Sequence, residues 1–296
     1  SPGDIVWPNM GLSKKVRKSK RLVSNTLLVL LIIFWAIPVA VVGCISNVNY
    51  LTEKVPFLRF INNMPDIIMG FITGLLPTVA LAILMSLVPL FIKKLGQIGG
   101  CMTRQEIDQY CQGWYYGFQV VQVFLVTTLA SSASSTVTAI INEPSSAMSL
   151  LAENLPKASN FYIVYFLLLG LSAPSGSLLQ AVNLILSKFL GRILDSTPRQ
   201  KWTRYSVLSA PSWGVVYPGI ELLVCIYFAY SIIAPLILLF STVALCFLYI
   251  AYLYNLNYVL GFSFDSKGRN YPRALFQVFV WLYLAEVCLI GLFVMA

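Results

Sequence analysis

Long stretches almost empty of polar residues, separated by short clusters of charge, dominate this chain. Leu22 to Ile45, Ile67 to Ile92, Trp114 to Ile141, Asn160 to Leu190, Val215 to Ser231, Pro235 to Tyr254 and Leu275 to Ala296 each hold about 17 or more mainly apolar residues, enough for one bilayer crossing. The pattern predicts seven membrane helices and hence an all-α, polytopic helix bundle. The fifth and sixth form one nearly unbroken run, and Pro235, which cannot continue an incoming helix comfortably, predicts a tight hairpin at Ser231 to Pro235. Thr103-Arg-Gln-Glu106 fits a capping box and starts the third helix before the membrane, with Trp114, Tyr115 and Tyr116 at the interface. Ser145 to Pro156 reads as a short external helix lying on the bundle.

Composition agrees: of 296 residues 58% are hydrophobic and only 10% charged, which excludes an ordinary water-soluble domain. Seventeen of the twenty Lys and Arg fall on one side of the predicted bundle, leaving Lys54, Arg59 and Lys157 on the other. The basic side is cytoplasmic. The net charge of +9 is then explained by topology beside an anionic leaflet, and no nucleic-acid partner is implied. The expected setting is a multi-pass integral protein of the plasma membrane or an internal membrane. Residues 1–21 form a cytoplasmic lead-in and 22–296 the transmembrane domain. The uncharged end of the last helix suggests an excerpt of a longer chain.

Histidine is absent, which removes a Ser-His pair and a histidine-ligated metal. The six cysteines lie in or at the ends of membrane segments, or, for Cys101 and Cys111, in a cytoplasmic loop, so no disulfide framework is implied. Of eleven carboxylates only Glu221 and Glu286 fall within the membrane segments, so a two-aspartate membrane protease does not fit either. There is no Gly-rich phosphate loop. No catalytic, metal or cofactor site is expected.

What remains is a set of polar rows. A polar side chain facing lipid is costly, so within a span it turns toward other helices or water. The third segment carries Gln119, Gln122, Thr128, Ser131, Ser132, Ser135 and Thr138, and spacings of three or four put the last five along one face. The fourth carries Gly176, Gln180, Asn183 and Ser187, and the second Gly70, Thr73, Gly74, Pro77 and Thr78. Small residues also serve close packing, and Ser and Thr also bond their own backbone. Gln and Asn are more demanding, with four hydrogen-bonding sites each and nothing to gain from lipid. The rows therefore read either as packing or as the wall of a hydrated path.

Pro174 removes a backbone donor from the middle of the fourth segment, and Gly170 and Gly176 relax it. That predicts a bend or partial unwinding at mid-depth, read either as a hinge beside a pore or as a static kink. Glu221 lies about 12 Å along the helix from Trp213. It either attracts cations or pairs with Arg192 or Lys188. Glu286, midway along the last helix, has no evident partner.

Several motifs, in order along nearly the whole chain, resemble a known family. Gly3-Asp-Ile-Val-Trp-Pro-Asn9, Leu151-Ala-Glu-Asn-Leu-Pro-Lys-Ala-Ser-Asn-Phe161, and Tyr217-Pro followed by Tyr230-Ser-Ile-Ile-Ala-Pro235 are similar to segments of the calcium-permeable stress-gated, or hyperosmolality-gated, cation channels. The resemblance implies an anoctamin-like fold, a homodimer with one pore per subunit, gating by membrane tension or osmotic stress, and membrane lipids and permeant cations including calcium as partners. It also implies that the family's first helices, cytosolic domain and final helix lie outside this chain. The expected function is a mechanosensitive, non-selective, calcium-permeable cation channel. Its pore would be lined by Thr78, Gln119, Gln122, Thr128, Ser132, Ser135, Gln180, Asn183, Ser187, Tyr217 and Glu221, with a hinge at Gly170, Pro174 and Gly176. A lipid scramblase of the same fold, or a secondary transporter using the broken helix, are the alternatives.

Overall fold

The computed structural model describes residues 2–39, 83–125, 159–180, 184–185, 188–189, 195–262 and 266–295. The chain divides into two compact units, Ser1–Gln122 and Val123–Ala296.

In the first unit a single 3-10 turn, Pro2–Asp4, leads to α1 (Trp7–Met10) and α2 (Lys14–Phe34), which extends as helix to Val39 after a turn at Trp35. Helix α2 begins well before its apolar part because Ser13 caps it, its hydroxyl accepting from Val16 N, and because Lys and Arg are good helix formers. Helix α3 covers residues 83–98, and α4 (Arg104–Phe118) continues as a π-helical stretch, Gln119–Leu125.

Polar contacts bind the lead-in to the α3–α4 turn. Val6 N donates to Met102 O at 2.8 Å, and the Asn9 amide donates to the carbonyls of Gln97 at 2.7 Å and Cys101 at 2.8 Å. Those carbonyls lie on either side of Gly100, which turns the chain at φ +85° where α3 ends. Arg21 of α2 pairs with Glu106 of α4 at 2.8 Å and lies over the Tyr110 ring, whose hydroxyl donates to Asn25 at 2.7 Å. The expected capping box forms only by half. The Thr103 hydroxyl accepts from Glu106 N at 3.1 Å, but the Glu106 carboxylate accepts from Met102 N at 2.9 Å and from Arg21 instead of from Thr103 N. Arg21 and the turn before the helix compete for it.

The second unit holds α5 (Ser159–Leu179), α6 (Pro198–Ser206), α7 (Trp213–Ile233), α8 (Leu236–Tyr258) and α9 (Asn270–Met295). The chain turns between α7 and α8 at Ala234, with Pro235 as the N-cap of α8. Helix α5 packs chiefly on α8, and α7 on α9. The approach of α5 to α8 is close enough to require glycine: a Cβ on Gly170 would stand 2.4 Å from the Ala244 Cβ. The inner face of α9 runs Asn270, Ala274, Gln277, Trp281 and Ala285, spaced by three and four, all buried. On the outer faces Leu168, Leu239 and Ile290 are exposed, as suits side chains meeting lipid.

Five helices among the described residues are long and apolar enough to cross a membrane: Lys14–Val39, Tyr162–Leu179, Trp213–Ile233, Leu236–Tyr258 and Asn270–Phe293. Most of the second and third expected spans lies outside the described residues, as does the expected external helix at 145–156.

Candidate permeation site

Helix α5 is α-helical through Gly170, Pro174 and Gly176 and leaves helical geometry at Gln180, whose φ is +50°. The three residues of the expected hinge have different surroundings. Gly170 is pressed on Ala244, Pro174 is buried, and Gly176 is exposed, with no atom within 4 Å of an added Cβ.

The polar groups around this end of α5 bond to one another. Ser177 donates through its hydroxyl to Pro174 O at 3.2 Å, and the Gln180 side-chain amide donates to Ser177 O at 2.6 Å. From α8 the buried Asn255 amide donates to both Ser177 O and Ser177 Oγ at 3.1 Å. Asn255 is a site residue that the sequence reading missed. The signal was present, since an amide deep in an apolar helix is as demanding at 255 as at 180. It braces α5 one turn above the point where the helix ends.

Glu221 sits on the buried face of α7, 3% exposed, and neither carboxylate oxygen accepts a hydrogen bond. The two expected partners divide: Lys188 is exposed and forms no ion pair with Glu221, and Arg192 lies outside the described residues. Tyr217, one turn earlier, lies within electrostatic range of Glu221 and of Tyr271 on α9, and its ring packs 5.5 Å from that of Trp213. Since α7 and α9 are separated by one further span, α8, and so cross in the same direction, Gln277, buried on α9 and also missed, stands at about the same depth as Glu221, roughly 10–12 Å from the helix starts. An unsatisfied buried carboxyl is costly unless it is neutral or a cation reaches it.

In the first unit Gln119 is buried, and the Gln122 amide donates to Ile32 O of α2. Both lie in the π-helical stretch, a geometry often found at functional sites. Thr78, Thr128, Ser132, Ser135, Asn183 and Ser187 lie outside the described residues. Glu286 is exposed on α9.

The fold thus defines a polytopic α-helical membrane protein with polar groups set into apolar helices. Residues 20–293 match the family model described as "Calcium-dependent channel, 7TM region, putative phosphate", and the chain belongs to that family. It is 70% identical over its whole length to phosphate metabolism protein 7 of Saccharomyces cerevisiae, covering 30% of that protein, and 68% identical to a membrane protein of Schizosaccharomyces pombe, covering 34%. It is also 24% identical over 98% of its length to hyperosmolality-gated Ca2+ permeable channel 1.5 of Arabidopsis thaliana, covering 38% of it. The chain therefore spans about a third of the length of these relatives.

Proposed function

We propose that this chain forms the pore-bearing part of a non-selective cation channel that passes calcium, opens under membrane tension or osmotic stress, and works as a homodimer with one pore per subunit. The observation that carries the reading is Glu221, a carboxyl buried among apolar helices with both oxygens unbonded. In a protein whose family is described as a channel, such a group is best understood as part of a path that cations enter when it opens. The similarity to a hyperosmolality-gated Ca2+ permeable channel supports the choice of ion and stimulus.

Conduction would run past Gln119, Gln122, Ser132, Ser135, Gln180, Asn183 and Glu221, with Thr78, Thr128, Ser187 and Tyr217 also along its wall. Tension favours whichever state occupies more membrane area, so tilting the lower part of α5 outward couples lateral force to pore width. Of the hinge at Gly170, Pro174 and Gly176, the close fit of Gly170 on Ala244 favours a pivot nearer Pro174 and Gly176, with the Asn255 bonds to Ser177 holding the closed position. The division into a cytoplasmic lead-in, residues 1–21, and a pore domain, 22–296, belongs to the same proposal.

The full-length protein, reconstituted in giant liposomes and held under suction, should pass current whose reversal potential shifts with the calcium gradient. Silence at every tension up to rupture would refute the proposal. Fluorescent-lipid exchange without current would point to a scramblase instead, and saturable substrate flux to a transporter.

A further inference from the structure

Helix α6 carries none of the residues proposed to line the pore. A reciprocal capping box starts it, with Thr197 Oγ1 accepting from Gln200 N and the Gln200 side chain accepting from Thr197 N. Its faces are sharply divided. At 100° per residue Pro198, Trp202 and Tyr205 share one side, flanked by Lys201 on one edge and Arg199 on the other, while Gln200, Thr203 and Arg204 lie behind. Trp202 is 66% and Tyr205 83% exposed, with their rings 6.1 Å apart. The only acid between Lys188 and Trp213 is Asp195, and it is taken up on the rear face by a two-pronged pair with Arg204, at 2.5 and 3.0 Å. Among the described residues Arg199 forms no ion pair, and Lys201 has only a longer-range attraction to the Asp195 that Arg204 already holds.

A second observation fixes the height of this helix. Three residues after α6, Ser209 O accepts from Gly261 N at 3.0 Å, and a Cβ on Gly261 would come within 3.0 Å of the Leu208 Cβ. Gly261 follows directly on the cytoplasmic end of α8, a membrane span. The end of α6 is therefore tied to the level at which a span leaves the bilayer. Around that tie Leu208, Tyr258 at 76% and Phe262 at 90% are exposed, an apolar and aromatic rim of the kind found at headgroup depth.

We propose that α6 lies flat on the cytoplasmic leaflet and binds anionic phospholipid. Trp202 and Tyr205, continued by Leu208, Tyr258 and Phe262, sink to the headgroup boundary, and Arg199 and Lys201 take the headgroup phosphates. Charge complementarity selects the occupant, because cytoplasmic leaflets are anionic and the exposed edges of α6 are cationic. The inference does not depend on the channel reading.

The test reconstitutes the full-length protein in nanodiscs of phosphatidylcholine, with or without phosphatidylserine, and reads retained phosphatidylserine by native mass spectrometry. The Arg199→Gln and Lys201→Gln variants should each weaken retention roughly fivefold, at unchanged melting temperature, since the Asp195–Arg204 pair is untouched. Independently, lipid brominated near the headgroup should quench the fluorescence that Trp202→Phe removes. Equal retention by wild type and both variants would overturn the proposal, as would a Trp202 signal that no brominated lipid quenches, which would mean that α6 docks on protein. Displacement of phosphatidylserine by inorganic phosphate would also overturn it, making the cations a site for soluble phosphate.

Discussion

Replacing Gly170 by alanine brings the new Cβ to 2.4 Å from the Ala244 Cβ and 2.9 Å from its Cα. Carbon atoms rest at about 3.5–4.0 Å, so α5 and α8 must part locally by roughly 1 Å. Overpacking of this order costs about 1–3 kcal/mol. Ala244→Gly removes the nearer of the two atoms struck and leaves the Cα, so it relieves the clash only in part, at a helix-propensity cost of about 1 kcal/mol by itself. Combined, the two changes should be less harmful than their sum by about 1–2 kcal/mol, the signature of a shared contact. Gly176→Ala is the control: nothing lies within 4 Å of its added Cβ, so it should be neutral or stabilising by up to about 1 kcal/mol. Unfolding of the purified protein in mixed micelles, followed by loss of helicity, gives the full cycle. Strict additivity of Gly170→Ala and Ala244→Gly, or a larger cost at Gly176 than at Gly170, would refute the assignment of Gly170 to packing. Tension–response curves extend the test, since Ala244→Gly should restore gating to Gly170→Ala in part if packing matters and leave it fully impaired if Gly170 is the pivot.

Glu221→Gln keeps the shape of the buried side chain and removes its charge, so unitary cation conductance should fall at least roughly twofold with folding intact; unchanged conductance and calcium permeability would place Glu221 off the path. Asn255→Leu removes both bonds to Ser177 and should lower the tension needed to open, which patch recordings under graded suction would read; an unchanged or raised threshold would contradict the brace. Asn9→Ala strips two bonds from the α3–α4 turn, a loss of about 1–3 kcal/mol, and amide exchange at residues 97–102 should quicken by tenfold or more; unchanged exchange would rule out Asn9 as the clamp on this turn. Burial, with Glu106 adding to it, raises the Cys101 thiol from 9.0 to about 11. The unfolded thiol ionises first, so the contribution of Cys101 to stability is full below pH 9 and is lost as pH rises toward 11. Maleimide labelling at pH 8 should accordingly be far slower at Cys101 than in the denatured chain, and equal rates would rule this out.

Much of the architecture could be read along one dimension. The apolar runs, the basic side of the bundle, the break before Pro235 and the cap at Thr103 all depend on local composition or on neighbours within one turn, and the membrane enforces them by leaving no other means of satisfying the backbone. The same one-dimensional signal marked Gln180 and Glu221 as polar groups in oil. It did not mark Asn255 or Gln277, although the argument applied to them equally, because their helices carry no polar row to draw attention.

Partnership was decided only in three dimensions. Gly170 reads as a source of flexibility until Ala244 is found against it, and Pro174 reads as the break until the chain is seen to stay helical as far as Gln180. Ser177, which the sequence gives no reason to single out, becomes the meeting point of α5 and α8 once Asn255 reaches it. The reason is physical: a helix sequence states what each face carries but not which neighbour covers it. An amide or a carboxyl in the membrane is satisfied, braced or left open by groups tens of residues away, and only the packing of the helices brings those groups within bonding distance.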